Sequence, residues 1–238
     1  MNNITCAIPL NRICELMNLG IEKYPCDDFF THVMNETLKI SPEAGRYYLE
    51  YEIALDKLDP ESWEVLKEKA IAHFTDHRDG QKKQGFFNQL NDVFAYEYLT
   101  ENSCHDVHIL QEGAARQPDI EYMNAETKYF CEVKTINISE DEIIQRSGLQ
   151  ISSTSADEEL SSGFLEKLKS TLDDAGRQIN ARGGTGLIYI VMHFDNIAYE
   201  DHWDRYCKQI SDCLEAHPAK WIHVRIGVLG KRRICKYK

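Results

Sequence analysis

The sequence has no Cys-x-x-Cys pair, no long apolar run and no excess of basic residues. Its eight cysteines are scattered along 238 residues, which argues against a zinc ribbon and favours reduced, mostly buried thiols. No apolar run approaches the roughly 18–20 residues that a membrane-spanning helix needs. The first residues also lack a basic segment followed by an apolar stretch, so a signal peptide is not expected. We therefore expect a cytoplasmic protein with no membrane partner.

The charge balance is acidic. The chain carries 27 Lys and Arg against 39 Asp and Glu, a formal net charge of −12. This weighs against a protein that coats nucleic acid, because phosphate binding requires clustered cations. It leaves room for a nuclease, in which a bound divalent metal supplies positive charge at an acidic site. The one dense basic run, Lys231–Lys238, is either a small nucleic-acid patch or a solvated terminus.

Residues 1–80 are predicted to form a helical N-terminal region. Apolar side chains recur there at intervals of three and four residues, as in Trp63, Leu66 and Phe74. Asp59 followed by Pro60 is typical of a helix start, with an N-cap and a proline in the first turn.

Residues 81–238 are predicted to form an α/β domain, a mixed central sheet flanked by helices. The expected helices cover residues 86–99, 164–181 and about 200–216, and the expected strands cover 107–110, 119–123, 128–136, 187–194 and 221–229. Residues 187–194 are almost continuously apolar, as in a strand buried on both faces. Gly183 and Gly184 are expected to end the second helix, and residues 139–162 are expected to form a polar loop.

The most informative residues lie on two of these strands. Side chains alternate along a strand, so Glu132 and Lys134 share one face while Val133 points to the other. Burying two charged groups without partners would cost several kcal/mol. A hairpin can bring Asp119, which follows Pro118, beside them. Two adjacent carboxylates repel, and a hard divalent cation such as Mg²⁺ resolves the conflict.

This pattern resembles the PD-(D/E)xK nuclease superfamily, which includes many restriction endonucleases and the archaeal Holliday-junction resolvases. The resemblance covers about residues 86–195 and implies a restriction-endonuclease-like core of helix, three strands, helix and strand. It also implies that Asp119 and Glu132 bind Mg²⁺ or Mn²⁺ together with the Val133 carbonyl. Lys134 would orient or activate the water that attacks phosphorus.

The resemblance implies two further site positions on helices. One is an acid on the helix before the first strand, for which Asp92 and Glu97 are both candidates. Asp92 lies seven residues before Leu99, similar to the spacing in the family, whereas Glu97 lies on the more apolar arc of the helix. The other is a glutamine on the long helix after the lysine strand, for which Gln178 is the matching position.

The expected function is therefore that of a divalent-metal-dependent nuclease that hydrolyses phosphodiester bonds of nucleic acid, DNA in the first instance. A homodimer is plausible because many relatives dimerise to cut two strands. One alternative is a catalytically silent nuclease-fold module that binds a protein or nucleic-acid partner. Another is a surface hairpin on which Glu132 and Lys134 belong to an exposed ion network.

Overall fold

The structure, a computed structural model, describes residues 10–33, 42–76, 83–113, 117–137, 159–193, 202–230 and 232–237. The chain packs as two compact units, Met1–Gln111 and Glu112–Lys238. This division lies C-terminal to the boundary that the sequence predicts between residues 80 and 81. Most of the loop predicted at 139–162 lies outside the described residues.

The first unit is mainly helical, and the prediction of a helical N-terminal region is confirmed where the structure describes it. Its elements are α1 (Asn11–Lys23), α2 (Phe29–His32), α3 (Pro42–Leu55), α4 (Pro60–Ala72), α5 (Gln84–Leu90), α6 (Asp92–Glu101) and the strand β1 (His105–Ile109). Three fully buried phenylalanine rings, Phe30, Phe74 and Phe86, contact one another at the centre of this unit. Burial of such rings is the main driving force for packing short helices.

Helix α4 begins as predicted. The Asp59 side chain accepts hydrogen bonds from the backbone N–H groups of Glu61 at 2.9 Å and Ser62 at 3.0 Å. Pro60 occupies the first turn, where no N–H is needed. These bonds satisfy two of the donors that a helix N-terminus leaves without partners.

The prediction of one continuous helix over residues 86–99 is wrong. The structure has two helices, α5 and α6, which meet at Asn91. Asn91 is fully buried, and its Oδ1 accepts a hydrogen bond of 2.8 Å from the Tyr51 hydroxyl. The apolar spacing continues across the break, and for this reason periodicity alone does not reveal it.

The second unit is an α/β layer with a mixed sheet, as predicted. Its described elements are β2 (Ile120–Asn124), β3 (Thr127–Ile136), α7 (Ser162–Ala181), β4 (Gly186–Met192), α8 (Trp203–Ala216), β5 (Trp221–Ile226) and β6 (Arg232–Tyr237). The strands lie in the order β2-β3-β4-β5-β6. The β3–β4 and β4–β5 pairs are parallel, and the β2–β3 and β5–β6 pairs are antiparallel. Strand β4 is central and buried from Leu187 to Met192, which confirms the prediction for this apolar run.

Helices α7 and α8 cover the same face of this sheet. Parallel strands require a crossover, and two successive crossovers of the same hand place both helices on one side. The core between the layers is aliphatic, formed by Leu168, Leu172, Ala175 and Ile179 of α7, Ile210 and Leu214 of α8, and Ile136, Ile188, Ile190, Met192, Ile222 and Val224 of the strands. Gly183 ends α7 with a φ of 68°, a left-handed conformation that favours glycine, as the sequence predicts.

The basic run at residues 231–238 contains a strand, β6, that the sequence analysis missed. Lys236 is only 4% exposed, and its Nζ donates a hydrogen bond of 2.9 Å to the Leu214 carbonyl at the end of α8. A lysine at this place satisfies helix carbonyls that otherwise lack donors. The alternative of a solvated terminus is therefore wrong at Lys236.

The seven cysteines that the structure describes form no disulfide bonds with one another. The expectation that most are buried is wrong, because only Cys131 and Cys213 are buried and Cys26 and Cys235 are exposed. Within the described ranges, no helix has the length and apolarity needed to cross a membrane.

Candidate active site

Asp119 directly precedes β2, and Glu132 lies on the neighbouring strand β3. The register of this antiparallel pair ends with Ile120 opposite Cys131. The Asp119 N–H also donates to the Cys131 carbonyl at 3.1 Å, so Asp119 and Ile120 both lie against Cys131. Asp119 is thus adjacent to the strand that carries Glu132, and the meeting of the two carboxylates stays a prediction.

The Asp119 side chain accepts a hydrogen bond from the backbone of β3, as a backbone carbonyl of a paired strand would. Its Oδ2 accepts a hydrogen bond of 2.9 Å from the Val133 N–H. The two backbone polar groups of one strand residue point to the same neighbouring strand, so the Val133 carbonyl points to the edge on which Asp119 lies. A carboxylate and a backbone carbonyl, both hard oxygen donors, therefore face the same edge of β3.

Glu132 and Lys134 lie on the face of β3 that α7 covers. Glu132 is 1% exposed and is registered beside Ile188 of β4, in a mainly aliphatic layer. Its Oε1 accepts a hydrogen bond from the Lys134 Nζ. The Lys134 side chain remains 28% exposed, so its ammonium is within reach of a molecule in solvent. The alternative of an exposed ion network is wrong for Glu132, because this carboxylate is buried.

Gln178 of α7 contacts the lysine. Its Oε1 accepts a hydrogen bond of 2.9 Å from the Lys134 Nζ, and its Nε2 lies 3.5 Å from the Gln117 carbonyl. Lys134 is thus held from two sides, by Glu132 of its own strand and by Gln178 of the helix above. Two acceptors with fixed positions restrict the rotamers of a side chain that is otherwise very flexible.

The two candidate helix acids both belong to the first unit, and each is engaged in an ion pair there. Asp92 is 3% exposed, and its Oδ2 lies 2.7 Å from the Nζ of the equally buried Lys69. Glu97 lies 2.8 Å from the Nζ of Lys57, with 14% of its side chain exposed. Both carboxylates therefore have a structural partner within their own unit.

Gln117 and Arg182 extend the site and were missed by the sequence analysis. The Arg182 Nη2, at the C-terminus of α7, donates a hydrogen bond to the Gln117 Oε1. Gln117 directly precedes Pro118 and Asp119, so this contact joins the end of α7 to the segment that carries the first acid. Arg182 lies four residues after Gln178, one helical turn on, and this spacing is the only signal in the sequence.

The oxygen donors of this site are few. Among the residues that the structure describes, no group of three or more His, Cys, Asp or Glu side chains is placed to hold a metal ion. The donors that the sequence predicts are Asp119, Glu132 and the Val133 carbonyl. Such a set suits Mg²⁺, which usually binds one or two carboxylates and keeps several waters.

Comparisons with protein-family models, with curated proteins and with solved structures found no match to this chain.

Proposed function

We propose that this protein is a divalent-metal-dependent nuclease that hydrolyses phosphodiester bonds, with DNA as the first substrate to test. Two observations support the proposal: Lys134 contacts the buried Glu132, and the Asp119 carboxylate binds the N–H of Val133, the residue between them. The order α6, β1, β2, β3, α7, β4 also agrees with a restriction-endonuclease-like core. The PD-(D/E)xK pattern and the element order support the proposal independently of each other.

Asp119, Glu132 and the Val133 carbonyl would hold the metal ion. All three are hard oxygen donors, and Asp119 and the carbonyl face one edge of β3. When bound, the metal would lower the pKa of a water molecule and neutralise charge on the phosphate. A Glu132 carboxylate that is 1% exposed needs positive charge nearby, which the Lys134 ammonium already supplies in part.

Lys134 supplies the cationic hydrogen-bond donor of the reaction. An ammonium has three N–H donors, of which Glu132 and Gln178 take two. The third can bind the attacking water or an oxygen of the phosphate. A preorganised donor of this kind stabilises the charge that develops as the P–O bond to the leaving group breaks.

The test is cleavage of supercoiled plasmid, single-stranded DNA and RNA by the full chain, with Mg²⁺ or Mn²⁺ and with EDTA. We expect cleavage that depends on the metal and falls at least about 100-fold in Lys134→Ala, in line with the loss of one preorganised donor. Lys128→Ala is the matched control, because Lys128 lies on the same strand but is 56% exposed and pairs with Glu121 at 3.2 Å. Cleavage that persists unchanged in Lys134→Ala would refute the assignment of this site.

A catalytically silent nuclease-fold module is the second candidate. It is favoured by the small number of donors, since the described side chains include no group of three or more His, Cys, Asp or Glu that could hold a metal ion. Wild-type protein that binds nucleic acid but cleaves none of the three substrates with either metal would support this candidate over the enzyme.

A further inference from the structure

Helix α7 presents two basic side chains on the same face as Gln178. Successive residues of an α-helix are rotated by about 100°. The eleven residues from Lys167 to Gln178 therefore amount to a net rotation of about 20°, and the fifteen residues from Lys167 to Arg182 to about 60°. Lys167, Gln178 and Arg182 consequently form one stripe along α7, which we call the α7 stripe.

Arg182, at one end of the α7 stripe, is an exposed cation with no countercharge among the described residues. Its contact is the Gln117 amide oxygen, and across the described part of the chain no carboxylate lies within 4.0 Å of it. A guanidinium carries five N–H donors, so most of them are available to a ligand. By contrast, Arg177 of the same helix is paired with Asp174.

Lys167, at the other end of the α7 stripe, is also an exposed cation. Its Nζ lies 3.4 Å from the carbonyl of Asn137, which directly follows β3. No ion pair joins it to any carboxylate that the structure describes. Among the residues that the structure describes, neither of these two cations has a carboxylate partner, although the net charge of the chain is −12. Their charges are therefore available to an anionic ligand.

A continuous set of contacts connects Arg182 to the candidate active site. Arg182 binds the Gln117 side chain, the Gln117 carbonyl lies 3.5 Å from Gln178, and Gln178 binds Lys134 at 2.9 Å. Lys134 in turn binds Glu132. Gln117 and Gln178 therefore connect the guanidinium to the lysine through hydrogen bonds.

We propose that Arg182 and Lys167 bind two backbone phosphates of a nucleic-acid strand that runs along the α7 stripe past Lys134. This inference rests on the proposed nuclease function and adds the path of the substrate. At about 1.5 Å per residue, Arg182 lies roughly 6 Å along the axis from Gln178, and Lys167 lies roughly 17 Å away on the other side. A duplex rises about 3.4 Å per base pair, so Arg182 and Lys167 span six to seven base steps. Lys134, which contacts Gln178, lies nearer the Arg182 end of this span.

The test is binding of a fluorescent 12-base-pair duplex and of a 12-nucleotide single strand by the full chain, with Ca²⁺ in place of Mg²⁺, from about 50 to 250 mM salt. Arg182→Gln and Lys167→Gln should each weaken binding several-fold and reduce the slope of log K against log salt by about 1, the value expected for one lost phosphate contact. Arg182→Lys should retain most of the slope, because it keeps the charge while changing the Gln117 contact.

The matched control is Lys169→Gln. Lys169 is also exposed and lies on α7, but it is rotated by about 200° from Lys167 and so lies off the α7 stripe. We expect its salt slope to equal that of the wild type. Slopes unchanged in Arg182→Gln and Lys167→Gln would overturn the proposed path, and so would equal losses in all three variants or an absence of binding by the wild type. A wild type that cleaves in Mg²⁺ while these slopes are unchanged leaves the nuclease proposal standing and removes only the substrate path.

Discussion

Asp119 has a structural role and a proposed catalytic role, which asparagine and alanine should separate. Its carboxylate accepts a hydrogen bond from the Val133 N–H, and Val133 is only 8% exposed. Alanine removes the acceptor from a buried donor, which costs about 1–3 kcal/mol. We expect Asp119→Ala to lower the free energy of unfolding by about 2 kcal/mol, equivalent to a fall in Tm of roughly 4–8 °C for a chain of this size.

Asparagine keeps an oxygen that can accept the same hydrogen bond but removes the charge. A neutral acceptor forms a bond about half as strong as an ionised one, so Asp119→Asn should lose less than about 1 kcal/mol. Both variants should lose metal-dependent cleavage, because the amide is a much weaker ligand for Mg²⁺ than the carboxylate.

Urea unfolding and plasmid cleavage, measured on the same preparations, test both roles. Glu121→Ala is the control for the strand, since Glu121 pairs on the surface with Lys128 and should cost less than about 1 kcal/mol. Equal destabilisation by asparagine and alanine would refute the structural role of the carboxylate. Full cleavage by Asp119→Asn would refute its role as a metal ligand.

The remaining predictions concern stability against pH and the helix residues. Burial, reinforced by two nearby arginines, lowers the pKa of His223 to about 4. Between pH 6.5 and pH 4 the unfolded chain therefore binds a proton that the folded chain does not. As the pH falls through this range, urea unfolding should show the free energy of unfolding decrease by up to about 3 kcal/mol, and His223→Gln should not show this decrease. Asp92→Ala should destabilise the protein by about 3–5 kcal/mol in thermal or urea unfolding, because it removes the countercharge of the buried Lys69. Glu97→Gln should lower the free energy of unfolding by less than about 1 kcal/mol, so any effect on the cleavage rate reports directly on a role of Glu97 in the reaction. A large loss of stability would contradict this prediction. Gln178→Leu should lower kcat by about ten-fold, because it removes one hydrogen bond to a charged group worth about 1.5 kcal/mol. The Tm should be nearly unchanged. An unaltered kcat would show that the Gln178 contact does not position Lys134.

The candidate site was accessible to sequence reasoning because its main features are local. Alternation along one strand places Glu132 and Lys134 on a common face, and a short hairpin limits where Asp119 can lie. In the structure Lys134 contacts Glu132, and the Asp119 carboxylate accepts a hydrogen bond from the Val133 N–H. Helix ends with side-chain caps or a glycine, such as those at Asp59 and Gly183, are also encoded within a few residues.

Features that depend on distant partners were not accessible in this way. Helices α5 and α6 meet at Asn91, whose side chain accepts a hydrogen bond from Tyr51, forty residues away. The basic run at the end of the chain forms a strand because β5 is there to pair with it, and Lys236 is buried because α8 ends beside it. Gln117 and Arg182 meet across 65 residues of sequence, which no local pattern indicates.

The sequence by itself determined which residues alternate along a strand and where the main helical and extended segments lie, and it predicted that two acids and a lysine share one side of a hairpin. These properties follow from backbone periodicity, which acts over a few residues. Only the tertiary structure decided that Glu132 is buried beneath α7, that Gln178 holds Lys134, and that Arg182 is held by Gln117. Those outcomes depend on which elements pack together, because burial and hydrogen-bond partners are properties of the folded arrangement and not of any one segment.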